Sequence, residues 1–390
     1  MGMRFNVPPY AGHELEYITK VIENGRLSGN GEFTKRCHEL LQVLTGAGKV
    51  LLTPSCTAAL EMAAILADVG SGDEVIMPSF TFVSTANAFV LRGATPVFVD
   101  INEKTLNIDP VQVASAVTSR TKAIVPVHYA GVSCDMVQIK KTADEFGLLV
   151  IEDAAQALMS EVSDVPLGGI GDIGALSFHE TKNIVSGEGG ALLLNNPRFF
   201  ERAEIIWEKG TNRSKFFRGE VDKYTWVDIG SSYLASELQA AFLLAQLESA
   251  EDITARRMSA WQRYWKNLVP LEQAGRLRMP VIPEGYKHNA HMFYILLNSA
   301  QEQCKVLEEM NKVGINAVFH YQPLHSSPAG QLYGQAHGKL RVTDDISARL
   351  IRLPLFSDIS QEQVDGICEV LTALLMNNDE QNMKKRRWTE

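Results

Sequence analysis

The sequence predicts an α/β protein that has a mostly parallel sheet between helices and a smaller C-terminal α+β domain. Three observations support this fold class. Between about residues 47 and 195, short apolar runs alternate with amphipathic segments, which is typical of βαβ units. The runs are rich in β-branched residues and almost continuously apolar, as are strands buried on both faces. After about residue 235 the alternation gives way to long helical patterns with few strand-like pieces.

The predicted elements follow in chain order. The strands of the sheet are KVLLT, DEVIMP, TPVFVD, KAIVPVH, LLVIED, GALSFH and GALLLN, with helical patterns such as TAALEMAAILADV and SCDMVQIKKTADEFG between them. The segment SELQAAFLLAQLESAEDITARRMSAWQRYWKNL predicts one long helix or two. The pieces HMFYILL and NAVFHYQ are strand-like, QEQCKVLEEMNKVG is helical, and EQVDGICEVLTALLMN predicts a final helix.

Length and composition restrict the classes of protein further. The chain has 390 residues, and we place a large domain with an N-terminal arm at residues 1–250 and a small domain at residues 251–390. The formal charge of −9 argues against a nucleic-acid partner. The N-terminus lacks the apolar region of a secretory signal, and no apolar stretch reaches the roughly 18 residues of a membrane span, so we expect a cytoplasmic protein. Five scattered cysteines and the absence of HExxH spacing argue against a metal site.

Polar residues at the ends of predicted strands nominate a ligand site, because ligands of open α/β sheets bind outside the carboxyl ends of the strands. These residues are Asp100, His128, Asp153 and His179. Asp153 could pair with a cationic group such as a protonated pyridine nitrogen, or it could cap the next helix. Gln156 follows three residues later and could point at the same ligand.

Two further segments carry chemistry. Around Cys56 and Thr57 a strand gives way to a helix, which creates an anion site or an ordinary N-cap by Ser55 or Thr57. Lys182 lies just after a buried strand and could form a Schiff base if burial or nearby charge lowers its pKa, although most lysines only solvate a surface. A phosphate site, an acid for a pyridine nitrogen and a Schiff-base amine are together what pyridoxal phosphate (PLP) needs.

The sequence resembles the DegT-type nucleotide-sugar aminotransferases. The similarity runs from Leu27 to Pro354, and its most specific blocks are GDEVIMPSFTFVSTANAFVLRGATPVFVD, VPVHYAG, IEDAAQA, SFHETKN with GEGGALL, and FHYQPLH. It implies a fold-type I PLP-dependent aminotransferase that forms a homodimer with shared active sites and cycles through pyridoxamine phosphate. The blocks LLTPSCTAALEMAA, EKGTNRSKFFRGEVDKYTW and DIGSSYLASELQAA are most similar to members that make dTDP-4-amino-4,6-dideoxygalactose.

The resemblance also implies roles for individual residues. Lys182 matches the Schiff-base lysine, Asp153 the partner of the pyridine nitrogen, and Gln156 the neighbour of the cofactor's phenolic oxygen. The phosphate site is matched by Cys56, Thr57 and Ser177. Phe82 matches a ring that stacks on the pyridine, with a core phenylalanine as the alternative. His325 matches a histidine near the sugar, and His179 lies near the expected substrate face. Ser232 stands where many members have an asparagine that reaches the partner subunit's phosphate.

The implied reaction moves an amino group from L-glutamate to C4 of a dTDP-4-keto-6-deoxyhexose, for surface polysaccharides such as lipopolysaccharide or enterobacterial common antigen. The galacto product is favoured over a gluco product or another nucleotide-linked keto sugar. Two alternatives remain. A dehydratase of the same fold commonly replaces the lysine by histidine, whereas this chain has Lys182. The second alternative is a non-catalytic regulatory protein on the same scaffold, and such a protein would be expected to have a degraded cofactor site.

Overall fold

The computed structural model describes the backbone of residues 2–386 and the side chains of residues 2–376. Its strands are β1 (Lys49–Thr53), β2 (Glu74–Pro78), β3 (Thr95–Val99), β4 (Thr121–Ile124), β5 (Leu149–Asp153), β6 (Glu161–Val162), β7 (Val165–Pro166), β8 (Ile173–Ser177), β9 (Gly190–Leu194), β10 (Tyr286–Lys287), β11 (Phe293–Leu296), β12 (Gln335–Ala336) and β13 (Leu350–Leu353).

The helices of the described chain surround these strands. They are α1 (Glu14–Glu23), α2 (Glu32–Thr45), α3 (Cys56–Leu66), α4 (Val83–Val90), α5 (Pro110–Ala116), α6 (Met136–Phe146), α7 (Phe200–Trp207), α8 (Arg213–Phe217), α9 (Glu237–Glu248), α10 (Ala250–Gln273), α11 (Ala300–Lys312), α12 (Pro328–Tyr333), α13 (Arg341–Arg349) and α14 (Gln361–Arg386). None of the helices in this part of the chain is both long enough and apolar enough to cross a membrane.

The main sheet contains eight strands in the order β1-β9-β8-β5-β4-β2-β3-β12. The pairs from β8 to β12 are parallel, whereas β9 runs antiparallel to both of its neighbours, β1 and β8. The fold class is therefore confirmed, and all seven predicted strand runs contain a strand of this sheet. Because β1 has the same direction as the parallel strands, its carboxyl end reaches the same edge as theirs. This edge carries the candidate site.

A second apolar core lies in the C-terminal part of the chain. It contains residues of α10, α11 and α14 together with the antiparallel pair β11 and β13, and its largest side chains include Trp261, Tyr264 and Phe293. The first residues of the chain also lie here, since Met3 pairs with Ile315. The boundary between residues 250 and 251 stays a prediction.

Two C-terminal predictions can be compared with the structure. The segment that predicted one helix or two forms two, α9 and α10, which meet at Ser249. The prediction that NAVFHYQ is strand-like is wrong, because in this segment only Val318 forms a bridge, with Arg352 of β13. His320 and Tyr321, two and three residues after Val318, instead stack on each other with ring centroids 3.4 Å apart. Their rings pack beside the candidate site, and the aromatic contacts replace further strand pairing.

Candidate active site

The start of α3 lies beside the carboxyl end of β8. Gly190 of β9 pairs with Thr53 of β1 on one side and with Ser177 of β8 on the other. A Cβ atom on Gly190 would lie 2.4 Å from the backbone nitrogen of Cys56, so a glycine is required for this close approach. The pairing therefore brings the N-terminus of α3 next to the Ser177 hydroxyl.

The α3 N-terminus is capped, and donors remain free beside the cap. The Ser55 hydroxyl accepts a hydrogen bond from the N–H of Ala58 at 3.1 Å and caps the helix. The contacts of the described residues give no acceptor to the N–H groups of Cys56 and Thr57. Helix N-termini bind anions through such free N–H groups. The end of α3 thus keeps two donors for a phosphate after the cap has formed.

Asp153 ends β5 with its carboxylate turned toward this edge of the sheet. The side chain is 5% exposed, and it accepts hydrogen bonds from the Thr85 hydroxyl at 2.7 Å and from the N–H of Ala155 at 3.1 Å. A turn follows Asp153, not a helix, so the helix-cap interpretation is wrong. Two donors leave part of the carboxylate's acceptor capacity free, because an ionised carboxylate can accept about four hydrogen bonds.

Gln156 and Phe82 form the wall of the site near Asp153. The Gln156 side chain accepts from the N–H of Ala130 at 2.7 Å and donates to the Tyr321 hydroxyl at 3.0 Å. Phe82 precedes α4, and its ring centroid lies 6.3 Å from that of Tyr321. With 56% of its surface exposed, Phe82 is not a core residue, and its ring is free to stack on a ligand.

Lys182 lies in the turn that follows β8, where its N–H donates to the carbonyl of His179 at 2.9 Å. Burial lowers the pKa of the Lys182 ammonium, and the nearby Arg352 charge lowers it further, against the opposing charge of Asp153. A lysine with a lowered pKa is unprotonated more often near neutral pH. This is the state in which an amine attacks a carbonyl carbon.

The other predicted site residues have different surroundings. The His179 ring contacts the Thr181 hydroxyl at 2.9 Å and lies 3.7 Å from Glu188, at the rim of the lysine turn. His325 is held on both ring nitrogens, by the Ser79 hydroxyl at 2.7 Å and by Asp344 at 3.3 Å.

Ser232 is exposed, and its backbone pairs with that of Glu208. Within the described contacts of this chain, nothing joins Ser232 to the α3 N-terminus. The structure therefore does not bring Ser232 to the phosphate donors of its own chain.

Two of the strand-end residues have structural roles. Asp100 accepts hydrogen bonds from the backbone N–H groups of Val342 and Thr343, at 3.0 and 2.8 Å, and so anchors the start of α13. His128 is fully buried and bonds to Glu152 at 2.8 Å on the far side of β5. Position nominated all four strand-end residues for the site, but Asp100 and His128 have their partners within the fold.

The sequence reasoning missed three residues of the site. Thr85 orients Asp153 through a hydrogen bond. In the sequence it is one of several small residues in the helix VSTANAFV, and nothing there distinguishes it from its neighbours. Tyr321 lies in the segment NAVFHYQ, which was predicted to be strand-like, and Arg352 lies where no element was predicted. For Tyr321 the block FHYQPLH was a usable signal, because it carries the family resemblance. Nothing in the apolar run around Arg352 indicated a ligand.

Comparisons with known proteins add to this geometry. Residues 10–372 match the DegT/DnrJ/EryC1/StrS aminotransferase family. Spore coat polysaccharide biosynthesis protein SpsC of Bacillus subtilis is 32% identical over 385 residues, which cover 96% of this chain and 97% of SpsC. GDP-perosamine synthase of Escherichia coli O157:H7 is 31% identical over 363 residues, 93% of this chain and 95% of that protein. Spr1654 of Streptococcus pneumoniae, solved in a PLP-form and a PMP-form, aligns with a TM-score of 0.88 at 26% identity. In the PLP-form the match covers 97% of this chain and 99% of Spr1654, and in the PMP-form 97% and 98%.

Proposed function

Because the chain belongs to the DegT/DnrJ/EryC1/StrS aminotransferase family, we propose that it moves an amino group from L-glutamate to C4 of a dTDP-4-keto-6-deoxyhexose. The chain is a PLP-dependent sugar aminotransferase. The donor, the dTDP group and the galacto configuration of the product are the proposed part. A role in surface polysaccharide synthesis is supported by the names of two relatives, a spore coat polysaccharide biosynthesis protein and a GDP-perosamine synthase.

The residues at the sheet edge fit PLP. The free N–H groups of Cys56 and Thr57, with the Ser177 hydroxyl, would bind its phosphate, since all three are donors at the start of α3 or beside it. The spare acceptor capacity of Asp153 would accept a hydrogen bond from the protonated ring nitrogen. This meeting of a cation partner, an anion site and a lysine at one edge is the observation that supports the proposal most strongly.

When bound, the cofactor supplies a carbonyl that takes up amino groups and a ring that withdraws electrons from the bond to be broken. Asp153 keeps the ring nitrogen protonated through its negative charge, and Thr85 fixes the orientation of that carboxylate. Lys182 would hold the cofactor through its amine, and the same amine, when free, would carry a proton between the two carbons that exchange it. Phe82 would pack on the ring face, and Gln156 would lie at its edge.

Assembly is the second part of the proposal. We propose a homodimer in which Ser232 of one subunit reaches the phosphate of the other. The exposure of Ser232 supports this, as does the lack of a described contact between Ser232 and the phosphate donors of its own chain. Sedimentation of the holoenzyme at assay concentration tests the assembly, and a fully active monomer would contradict it.

Product analysis tests the substrate and the configuration. The purified holoenzyme is incubated with L-glutamate and dTDP-4-keto-6-deoxyglucose, and the product is examined by proton NMR. A galacto product has an axial amino group at C4, so the coupling between H3 and H4 is small, whereas a gluco product gives a large coupling. Absence of any amino sugar, with 2-oxoglutarate still formed from glutamate, would contradict the proposed acceptor.

A further inference from the structure

Arg352 is a partly buried cation without an anion. Its backbone N–H and C=O both pair with Val318, at 2.7 and 3.1 Å, so strand β13 fixes the position of the residue. The guanidinium lies over the ring of Phe5, 4.7 Å from the centroid. Its Nε is buried without an acceptor, and no carboxylate among the described residues forms an ion pair with it. A cation withdrawn from water without a partner is unfavourable, which indicates that an anionic ligand completes the site.

The surroundings of Arg352 are those of the candidate active site. Phe5, which packs on the guanidinium, is followed by Asn6, and the Asn6 amide donates to the carbonyl of Glu180 at 3.0 Å. Glu180 belongs to the same turn as Lys182. The positive charge of Arg352 reaches this turn, since it lowers the pKa of Lys182, although burial lowers that pKa more.

Aromatic and imidazole side chains lie within electrostatic range of this cation, namely Tyr129, Tyr321 and His320. The Tyr129 hydroxyl bonds to His320 at 2.9 Å, and the Tyr321 hydroxyl accepts from Gln156. Burial lowers the pKa of His320 well below its usual value, with Arg352 adding to the effect. The ring of His320 is therefore neutral and does not compete for an anion. The Arg352 guanidinium is therefore the positive charge to which an anionic ligand near Lys182 would bind.

The place of this cation selects between the two anionic substrates of the proposed reaction. In an amino acid, the α-carboxylate is attached to the same carbon as the amino group that reacts at Lys182. In a nucleotide-linked sugar the diphosphate lies across the sugar ring from C4, far from the reacting carbon. A cation close to the lysine therefore matches the amino acid. Resting on the proposed function, we infer that Arg352 binds the α-carboxylate of the amino donor.

The test measures the donor half-reaction alone. Holoenzyme is mixed with an amino acid in the absence of sugar, and the change in the cofactor's absorption gives the apparent Kd of the donor. The substitution Arg352→Gln removes the charge and keeps a polar side chain. Arg263→Gln is the matched control, because Arg263 is bonded through two nitrogens to Asp365, both at 2.6 Å. We expect Arg352→Gln to weaken L-glutamate binding about 10- to 100-fold. The control should leave it unchanged.

Two amides of glutamate distinguish its carboxylates. L-Glutamine lacks the side-chain carboxylate, and isoglutamine, the 1-amide of L-glutamic acid, lacks the α-carboxylate. We expect the ratio of the variant's Kd to the wild-type Kd to be large for glutamate and glutamine and close to one for isoglutamine. A large ratio for isoglutamine with a ratio near one for glutamine would overturn the inference, as would equal glutamate affinities in Arg352→Gln and wild type.

Two further measurements keep the result interpretable. Arg352→Lys retains the charge, and we expect it to recover part of the affinity, so it supplies the same ratios if Arg352→Gln does not fold. The second half-reaction, in which the PMP form transfers its amino group to the keto sugar, should change less than about threefold in both variants. An equal loss in both half-reactions would overturn the inference. A wild-type enzyme that converts glutamate but transfers nothing to the sugar contradicts only the proposed acceptor.

Discussion

Two acidic residues that are adjacent on β5 have opposite environments. Glu152 is fully buried on one face of the sheet, and Asp153, on the other face, is turned toward the candidate site. The Glu152 carboxylate accepts from His128 at 2.8 Å and from the backbone N–H groups of Gly168, Ile170 and Gly171 at 2.9, 2.7 and 2.5 Å. Asp153 has two donors. Hydrogen bonds from the protein use the acceptor capacity of the Glu152 carboxylate, whereas the Asp153 carboxylate has acceptor capacity left for a ligand.

The ionisation of Glu152 agrees with a structural role. Burial raises the pKa of its carboxyl, but the bonds from His128 and from the glycine N–H groups outweigh burial, so the net pKa is lowered. The N–H of Cys134 donates to Nδ1 of His128 at 3.1 Å, so the ring proton is on Nε2 and faces Glu152. Every group in this cluster has its partner inside the fold. Hydrogen-bond saturation therefore separates a structural acid from a candidate catalytic acid more sharply than strand position does.

The largest expected effect belongs to the ligand side of β5. We expect Lys182→Ala to lower kcat about 10³-fold or more, because the variant lacks both the nucleophile and the proton carrier. The melting temperature should stay close to that of the wild type. Borohydride reduction of the wild type, followed by peptide mapping, should place the cofactor on Lys182. Label on another lysine would break the assignment.

On the structural side of β5, the expected effect is a loss of stability. Glu152→Gln puts an amide N–H₂ opposite either the Gly168 N–H, which donates to Oε2, or the N–H groups of Ile170 and Gly171, which donate to Oε1, so at least one buried donor is left without an acceptor. We expect the free energy of unfolding to fall by about 3 kcal/mol, measured by urea denaturation at fixed protein concentration. The kcat of the folded fraction should change less than about threefold. A stable but inactive Glu152→Gln protein would reverse the comparison.

A smaller effect on activity is expected from Thr85→Val, which keeps the shape of the side chain and removes one donor to Asp153. We expect kcat to fall about tenfold, because a hydrogen bond to a charged group contributes roughly 1.5 kcal/mol or more. Thr81→Val is the control, since the Thr81 hydroxyl bonds to Thr85 and not to Asp153. Equal kcat values in the two variants would show that Thr85 does not act through the carboxylate.

The smallest effect concerns a partly buried polar side chain away from the site, His38 of α2. Its Nε2 accepts from the N–H of Leu52 at 2.9 Å, and burial, aided by the charge of Lys49, lowers its pKa to about 3. Since the ordinary pKa is 6.5, the folded protein keeps the ring neutral, and the unfolded chain takes up a proton first as the pH falls. The stabilisation is complete above about pH 6.5 and is lost as the pH falls toward 3.

Urea unfolding from pH 7 to pH 5 checks this contribution. The wild type should lose stability faster than His38→Asn over this range, by at most about 1.4 kcal/mol per pH unit. Parallel losses in the two proteins would show that His38 is not protonated preferentially in the unfolded chain.

The strands of the sheet could be predicted from the sequence because a strand that is buried on both faces consists of a short, almost continuous run of apolar residues. The antiparallel direction of β9 could not be predicted, since GALLLN is equally apolar in either direction. At the candidate site, Lys182, Asp153 and Gln156 were predicted from strand position and family resemblance. Thr85 and Arg352 were not, because a side-chain donor to a carboxylate and an unpaired guanidinium are visible only once distant segments have packed together.

The most direct test of the account is Asp153→Asn, measured beside Glu152→Gln. Asparagine keeps the size of the side chain and removes the charge that favours a protonated ring nitrogen. A charge-assisted hydrogen bond is about twice as strong as a neutral one. The account predicts that Asp153→Asn lowers kcat about 100-fold or more, while the affinity for PLP falls much less, because the donors at Cys56, Thr57 and Ser177 remain. Near-normal kcat in Asp153→Asn would contradict the assignment of Asp153 as the partner of the ring nitrogen.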